Sequence, residues 1–176
     1  MMLRIRYFYC LLYCSLLCAS GFARADLTIP PPAQVAIDQV LQLTAERLAL
    51  AVPVAQSKWN SGAPIDDPAR EAIILQHVVA QAQQYGLSSD LARAYFQAQF
   101  SASKMVQQHL HAHWRAAGHA PFDPTPDLAR DVRPALDRLT PVLLRALSTL
   151  QGVLVEPGSG AWIRARAAKK LTLTPP

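Results

Sequence analysis

The sequence predicts an all-α protein, a helical bundle, and three observations carry that prediction. After residue 33, apolar residues recur three and four apart through most of the chain, the spacing that gathers them on one face of an α-helix. Proline and glycine punctuate those stretches as helix starts and stops: Asp67-Pro68 opens one, and Gly62, Gly86 and Gly118 follow the ends of others. Sustained alternation of apolar and polar residues, the mark of a half-buried strand, is not found. With 176 residues and no internal repeat, a single domain is expected.

Residues 1–25 read differently from the rest. Arg4 and Arg6 give a short basic start, Tyr7 to Cys18 an apolar stretch, and Ala23-Arg24-Ala25 a small-residue cleavage site. The apolar stretch is shorter than the roughly 20 residues of a spanning helix. A removed secretory signal is therefore expected rather than a retained anchor, with a mature single domain of 151 residues, 26 to 176, beginning at Asp26. Cys10, Cys14 and Cys18 all lie in the signal, so the mature chain carries no thiol and no disulfide, and it is long enough to bury a core without them. Losing Arg4, Arg6 and Arg24 leaves 14 basic against 12 acidic side chains, a net charge of about +2 in place of +5. That balance gives no ground for nucleic acid as a partner. The expected location is periplasmic or secreted, with no membrane attachment after cleavage.

Residues 26 to 32, with Pro30-Pro31-Pro32, read as a linker. From Ala33 the helical pattern begins, with Val35, Val40, Leu41, Leu43, Leu48 and Leu50 at roughly helical period. Pro53 should kink or divide this helix; the pattern resumes from Val54 to Trp59, and Asn60-Ser61-Gly62 ends it. Asp67 can cap the second helix, with Pro68 at its first position, Ile73, Ile74, His77, Val78 and Ala82 on one side, and Gly86 as the stop. Ser88 or Ser89 starts a third, from about Leu91 to Ala117, with Asp90 in its first turn. Thr125-Pro126-Asp127 repeats the cap-then-proline signal for a fourth, reaching about Leu150 and bent or interrupted near Pro134 and Pro141. Beyond it, Gly152 to Val155 suits an extended segment and Glu156 to Gly160 a loop. Residues 161 to 170, with Trp162, Ile163, Arg164, Arg166, Lys169 and Lys170, suit a solvated helix end better than a basic surface for anionic partners.

The chain has no Gly-rich phosphate loop, no CxxC, no HExxH and no GxSxG. His109 and His113, flanking His111, are at i and i+4 on the third helix, a spacing that suits two metal ligands. No acid on that helix lies near enough to complete a set, so an exposed polar face is expected there and no metal. The cations are more informative. Arg47 and Lys58 are eleven residues apart, close to three turns, so on a continuous helix they share a face. Both have apolar neighbours, Leu48, Ala49 and Leu50 beside Arg47 and Trp59 beside Lys58. Arg70 falls in the first turn of the next helix, where its charge opposes the macrodipole. Such cations either serve a ligand or pair with acids, and Asp66 and Asp67 are at hand for the second role. Ser103 and Gln107, at i and i+4, share a face too; if it is inward they need partners or a ligand. Periodicity leaves the direction of that face open.

Two stretches hold these residues: "ERLALAVPVAQSKWNSGAPIDDPAR", residues 46 to 70, and "FQAQFSASKMVQQ", residues 96 to 108. In that order, behind a secretory signal, they resemble the exported gamma subclass of the AroQ chorismate mutases. The resemblance runs from about Leu43 to about His113, and less clearly to Leu150. It implies an all-helical enzyme that rearranges chorismate to prephenate without a cofactor, with chorismate as its small-molecule partner and a homodimer as an open alternative. It implies roles as well. Arg47 resembles the arginine that grips a substrate carboxylate, and Lys58 the lysine that bonds the ether oxygen and a carboxylate. Asp67 and Arg70 match the acid and the substrate-facing arginine at the start of the next helix. Ser103 stands at a small hydroxyl position, and Gln107 at a Glu or Gln position facing the ether oxygen. Gln99 is a weaker candidate one turn earlier. For the late-helix arginine of some members, an ungapped placement gives Val142, with Arg138 and Arg145 one turn either side. Some exported members also have a longer C-terminal half with a disulfide, which this chain lacks.

The residue types suit the reaction. Chorismate is a dianion, and arginine forks bind carboxylates in plane with two bonds. The rearrangement is intramolecular, so the enzyme must hold the enolpyruvyl arm over the ring and stabilise charge on the breaking ether oxygen. The competing expectation is an exported helical binding or adaptor protein, its cations spent in surface salt bridges.

Overall fold

The computed structural model describes residues 30–155 and 158–170. The expected signal peptide, its three cysteines and the Glu156-Pro157 step lie outside the described residues. Six α-helices follow in order: α1 (Pro31–Ala49), α2 (Ala51–Ser61), α3 (Pro68–Ala82), α4 (Ser89–Ala116), α5 (Arg133–Val153) and α6 (Ser159–Lys170). Among the described residues there is no strand, and no helix is long and apolar enough to cross a membrane.

The start of α1 corrects the linker expectation. Pro31 and Pro32 occupy its first turn, where a missing N–H costs nothing and the fixed φ is already helical. The break after α1 comes at Leu50, three residues before Pro53. Proline has no N–H, and its ring crowds the carbonyl four residues back, here Ala49. Gly62 ends α2 at φ 69°, in the left-handed region that glycine enters without a Cβ clash. Asp67 caps α3, its Oδ1 accepting from the Arg70 N–H at 3.1 Å, and Pro68 follows as expected. Ser88, of the two serines considered, caps α4. Before α5 the capping residue is Asp127, which accepts from the Ala129 and Arg130 N–H groups. Thr125 instead accepts from Asn60 Nδ2, so proline precedes the cap there and the expected order is reversed. A wide π turn (Leu128–Val132) then leads into α5, which runs unbroken through Pro141. Its buried apolar residues, Leu143, Leu144, Ala146, Leu147 and Leu150, all follow that proline and hold the helix to the core beyond it. Gly152 and Val153 remain in α5 rather than extending.

Two apolar clusters stand at opposite ends of α4. The larger gathers Ile37, Val40 and Leu41 of α1, Val78 and Ala82 of α3, Leu87 from the turn before α4, Ala92 and Phe96 of α4, and Leu143, Leu144 and Leu147 of α5. Its turn between α3 and α4 is held from α5: Ser148 donates to the Tyr85 carbonyl at 2.6 Å, and Gln151 accepts from the Ser88 N–H at 2.8 Å. Trp162 and Ile163 of α6 pack on the same cluster, and a two-pronged Arg166–Asp38 ion pair ties α6 to α1. The smaller cluster has Ala55, Leu110 and Trp114 at its centre, with Trp59 and Phe122 against them. Asn60 closes it: its Oδ1 accepts from the Phe122 N–H and its Nδ2 donates to the Phe122 carbonyl, both at 2.8 Å.

Candidate active site

Along α4 the buried stripe runs Ala92, Phe96, Gln99, Gln107, Leu110 and Trp114, with Ser103 half-buried in the same line. Its ends belong to the two apolar clusters, and its middle is polar. That middle faces a cavity of about 210 Å³. Arg47, Lys58, Asp67, Arg70, Ser103 and Gln107 all line it, as does Gln99. The face that periodicity left undirected is inward.

Arg47 is 8% exposed, and its guanidinium lies over the Phe96 ring, 5.3 Å from the centroid. Its Nη1 is buried without a hydrogen-bond partner. Burial pulls its pKa down, with Tyr95 and Asp137 acting the other way. Beside it Thr44 and the Tyr95 hydroxyl share a hydrogen bond of 2.6 Å. Burial of an unpaired cation costs several kcal/mol, so Arg47 stands where an anion would relieve it. Gln99 Oε1 and Gln107 Oε1 are likewise buried and unpartnered. Gln107 Nε2 donates to Ser103 Oγ at 3.0 Å.

Lys58 is half-buried and donates to the Ile65 carbonyl at 2.7 Å. Burial lowers its pKa, while Asp67, Asp66 and Glu71 raise it and Lys104 lowers it further. Among the described residues, none of Arg47, Lys58 and Arg70 forms an ion pair. The salt-bridge alternative for these three therefore fails. Asp66 pairs instead with Lys104 at 3.2 Å, and Asp67 is engaged as the cap of α3.

The late-helix arginine needs a correction. Val142 is 42% exposed, Arg145 stacks on Tyr85 at 5.7 Å, and neither these two nor Arg138 lines the cavity. Arg133, at the start of α5, does. An ungapped placement cannot carry register across the long connection between α4 and α5, and the three positions it offered lie away from the cavity. Lys104, Glu71 and Asp137 were missed as well. The stripe of threes and fours from Ala92 to Trp114 was the available signal for an inward Ser103 and Gln107. Five cations (Arg47, Lys58, Arg70, Lys104, Arg133) and three acids (Asp67, Glu71, Asp137) line the cavity, a balance of +2. The histidine run does not converge on a metal: among the described residues no three His, Cys, Asp or Glu side chains could hold one. His109 and His113 are exposed, whereas His111 is half-buried, contacts the Ala55 carbonyl at 2.8 Å and meets Trp59 edge-on.

Residues 36–108 match the family model described as chorismate mutase type II. A crystal structure of chorismate mutase from Burkholderia thailandensis is 42% identical, with 78% of this chain and 88% of that chain covered and a TM-score of 0.72. A chorismate mutase structure from Burkholderia phymatum is 32% identical, covering 80% and 88%, also with a TM-score of 0.72. The secreted chorismate mutase of Mycolicibacterium smegmatis is 30% identical over 118 residues, 67% of this chain and 65% of that protein. The chain thus spans less than two thirds of the length of the curated relatives it matches. The matched segment contains the cavity's α1, α2, α3 and α4 walls, and the fold extends the likeness into α5: the chain belongs to the chorismate mutase type II family.

Proposed function

We propose that the protein converts chorismate to prephenate, and that Arg47, Lys58 and Gln107 act on the reacting substrate while Asp67, Arg70 and Ser103 complete its binding site. The observation that carries this reading is the cavity at the polar middle of the α4 stripe: Arg47, a buried cation whose Nη1 has no partner, lines it together with Gln99 and Gln107, and the lining has a charge balance of +2. A dianion of modest size is the complement of such a lining. The relatives named chorismate mutases supply the identity of that dianion.

The reaction breaks the substrate's ether C–O bond as a C–C bond forms, and no proton passes to or from the protein. Arg47 and either Arg70 or Arg133 would each take a carboxylate, fixing the arm over the ring. Lys58 has three ammonium hydrogens and spends one on Ile65, leaving two for the ether oxygen and a carboxylate. Gln107 as it stands donates its NH2 to Ser103 and leaves its oxygen without a partner. A half-turn of the amide reverses this: the Ser103 hydroxyl then donates to Oε1, and Nε2 donates to the ether oxygen as negative charge builds there. The test is loss of chorismate absorbance, with appearance of prephenate, on adding purified mature protein. A folded protein that leaves chorismate unchanged at high enzyme concentration would overturn the reading. Export to the periplasm or medium is part of the same proposal; it is supported by the basic, apolar and small-residue order of residues 1–25 and by the relative named as secreted.

A further inference from the structure

We propose that Lys104 is a positioning residue for Lys58: it holds Asp66 and Glu71 to itself and so keeps the Lys58 ammonium available to the substrate. The inference rests on the reading of the cavity as a chorismate site. Lys104 follows Ser103 on α4, and its Nζ lies 3.2 Å from Asp66 Oδ1 and 3.2 Å from Glu71 Oε1. It therefore joins α4 both to the first turn of α3 and to the segment between α2 and α3. Lys58 reaches the same place from α2, where its Nζ meets the carbonyl of Ile65, the residue before Asp66.

Two ammonium groups thus share one cluster of acids, and the geometry divides them unequally. Asp66, Asp67 and Glu71 all act electrostatically on Lys58. Asp67 is engaged by the Arg70 N–H, and the other two are taken by Lys104. Lys58 is left with a neutral carbonyl as its partner and no ion pair among the described residues. Without Lys104, Asp66 and Glu71 would turn to Lys58, and a substrate carboxylate or ether oxygen would have to displace them. The charge balance points the same way: removing Lys104 takes the lining from +2 to +1, and removing Glu71 as well restores it.

The experiment is steady-state kinetics on chorismate with the full mature protein. The variants are Lys104→Met, Lys104→Arg, the triple Lys104→Met/Asp66→Asn/Glu71→Gln, and Asp66→Asn/Glu71→Gln with Lys104 retained. Lys104→Met should lose about tenfold or more in kcat/KM, a loss on the scale of one disturbed charged contact. Lys104→Arg, which keeps the charge, should stay within about threefold of the natural protein, and so should the triple variant, in which no acid is left to compete. The acid pair alone should also stay within about threefold, and this variant carries the test even where methionine at 104 harms folding. A Lys104 that merely fastens α4 to α3, or that touches substrate itself, gives no rescue; a triple variant as poor as Lys104→Met overturns the proposal. So does a Lys104→Met protein within about twofold of the natural one, or a large loss from the acid pair alone. An inactive natural protein is a different result: it overturns the chorismate reading, and this inference with it.

Discussion

Arg47 makes the clearest case at the scale of single residues. It is a buried cation stacked on Phe96, with no ion pair among the described residues. Stacking on Phe96 offsets only part of that burial, and on the proposed reading a substrate carboxylate would offset the rest. Arg47→Ala, Lys58→Ala and Arg70→Ala should each lower kcat/KM by about a hundredfold or more while leaving the circular dichroism spectrum in place. Near-natural activity in all three would remove them from the site. Lys58 adds a pH dependence. Burial holds its pKa below the ordinary lysine value, and on the proposed reading only the ammonium form would bring a positive charge to the breaking ether oxygen. Activity is therefore present below that lowered pKa and lost as pH rises through it. The alkaline fall of kcat/KM should come earlier than an exposed lysine would give, and Lys58→Arg should push it upward. An amide does not titrate, so Gln107 adds no limb of its own. Gln107→Glu should work in acid, where the carboxyl still carries a proton to donate, and fail as pH rises and it ionises. Gln107→Leu should be poor throughout. A pH–rate profile of the three proteins decides this; a Glu variant that tracks the natural protein through neutral pH would pass the role to Gln99 or Ser103.

The elements set where these side chains arrive. Caps were readable because they are local: Asp67 and Pro68 lie within one turn of the N–H groups they serve or replace. The break near Pro53 was readable for the same reason, and it does not separate Arg47 from Lys58, since both helices still turn these residues to the cavity. Less readable was the connection between α4 and α5. It is anchored by Asn60, two residues after Lys58, which bonds the Phe122 N–H, the Phe122 carbonyl and the Thr125 hydroxyl. That connection leads into the π turn that brings Leu128, Val132 and Arg133 to the cavity. Asn60→Ala should therefore act twice. Thermal denaturation should show a loss of about 1–3 kcal/mol for the backbone groups left unpaired. The KM for chorismate should rise as Arg133 loses its fixed position. An unchanged KM alongside a lowered Tm would make Asn60 a fold residue alone.

At the scale of the whole molecule, the core is split so that a polar cavity can lie between its halves. The larger cluster fastens α1, α3, α4 and α5 together and takes α6 on its flank; the smaller fastens α2 to the far end of α4. Export belongs to this scale too. The order of residues 1–25 predicts that protein recovered from the periplasm or medium begins at Asp26 by mass spectrometry. Cys10 retained in that protein would contradict it. By itself the sequence determined the helical class, most of the helix ends and the identity of six cavity-lining residues, because periodicity, capping and motif order are properties of neighbours along the chain. Tertiary structure alone decided that Lys104 and not Lys58 takes Asp66 and Glu71, and that Arg133, rather than Arg138 or Arg145, lines the cavity. Each of these depends on which helices pack side by side and on how a long connection returns to them. Such contacts join residues tens of positions apart, and no local pattern specifies their register.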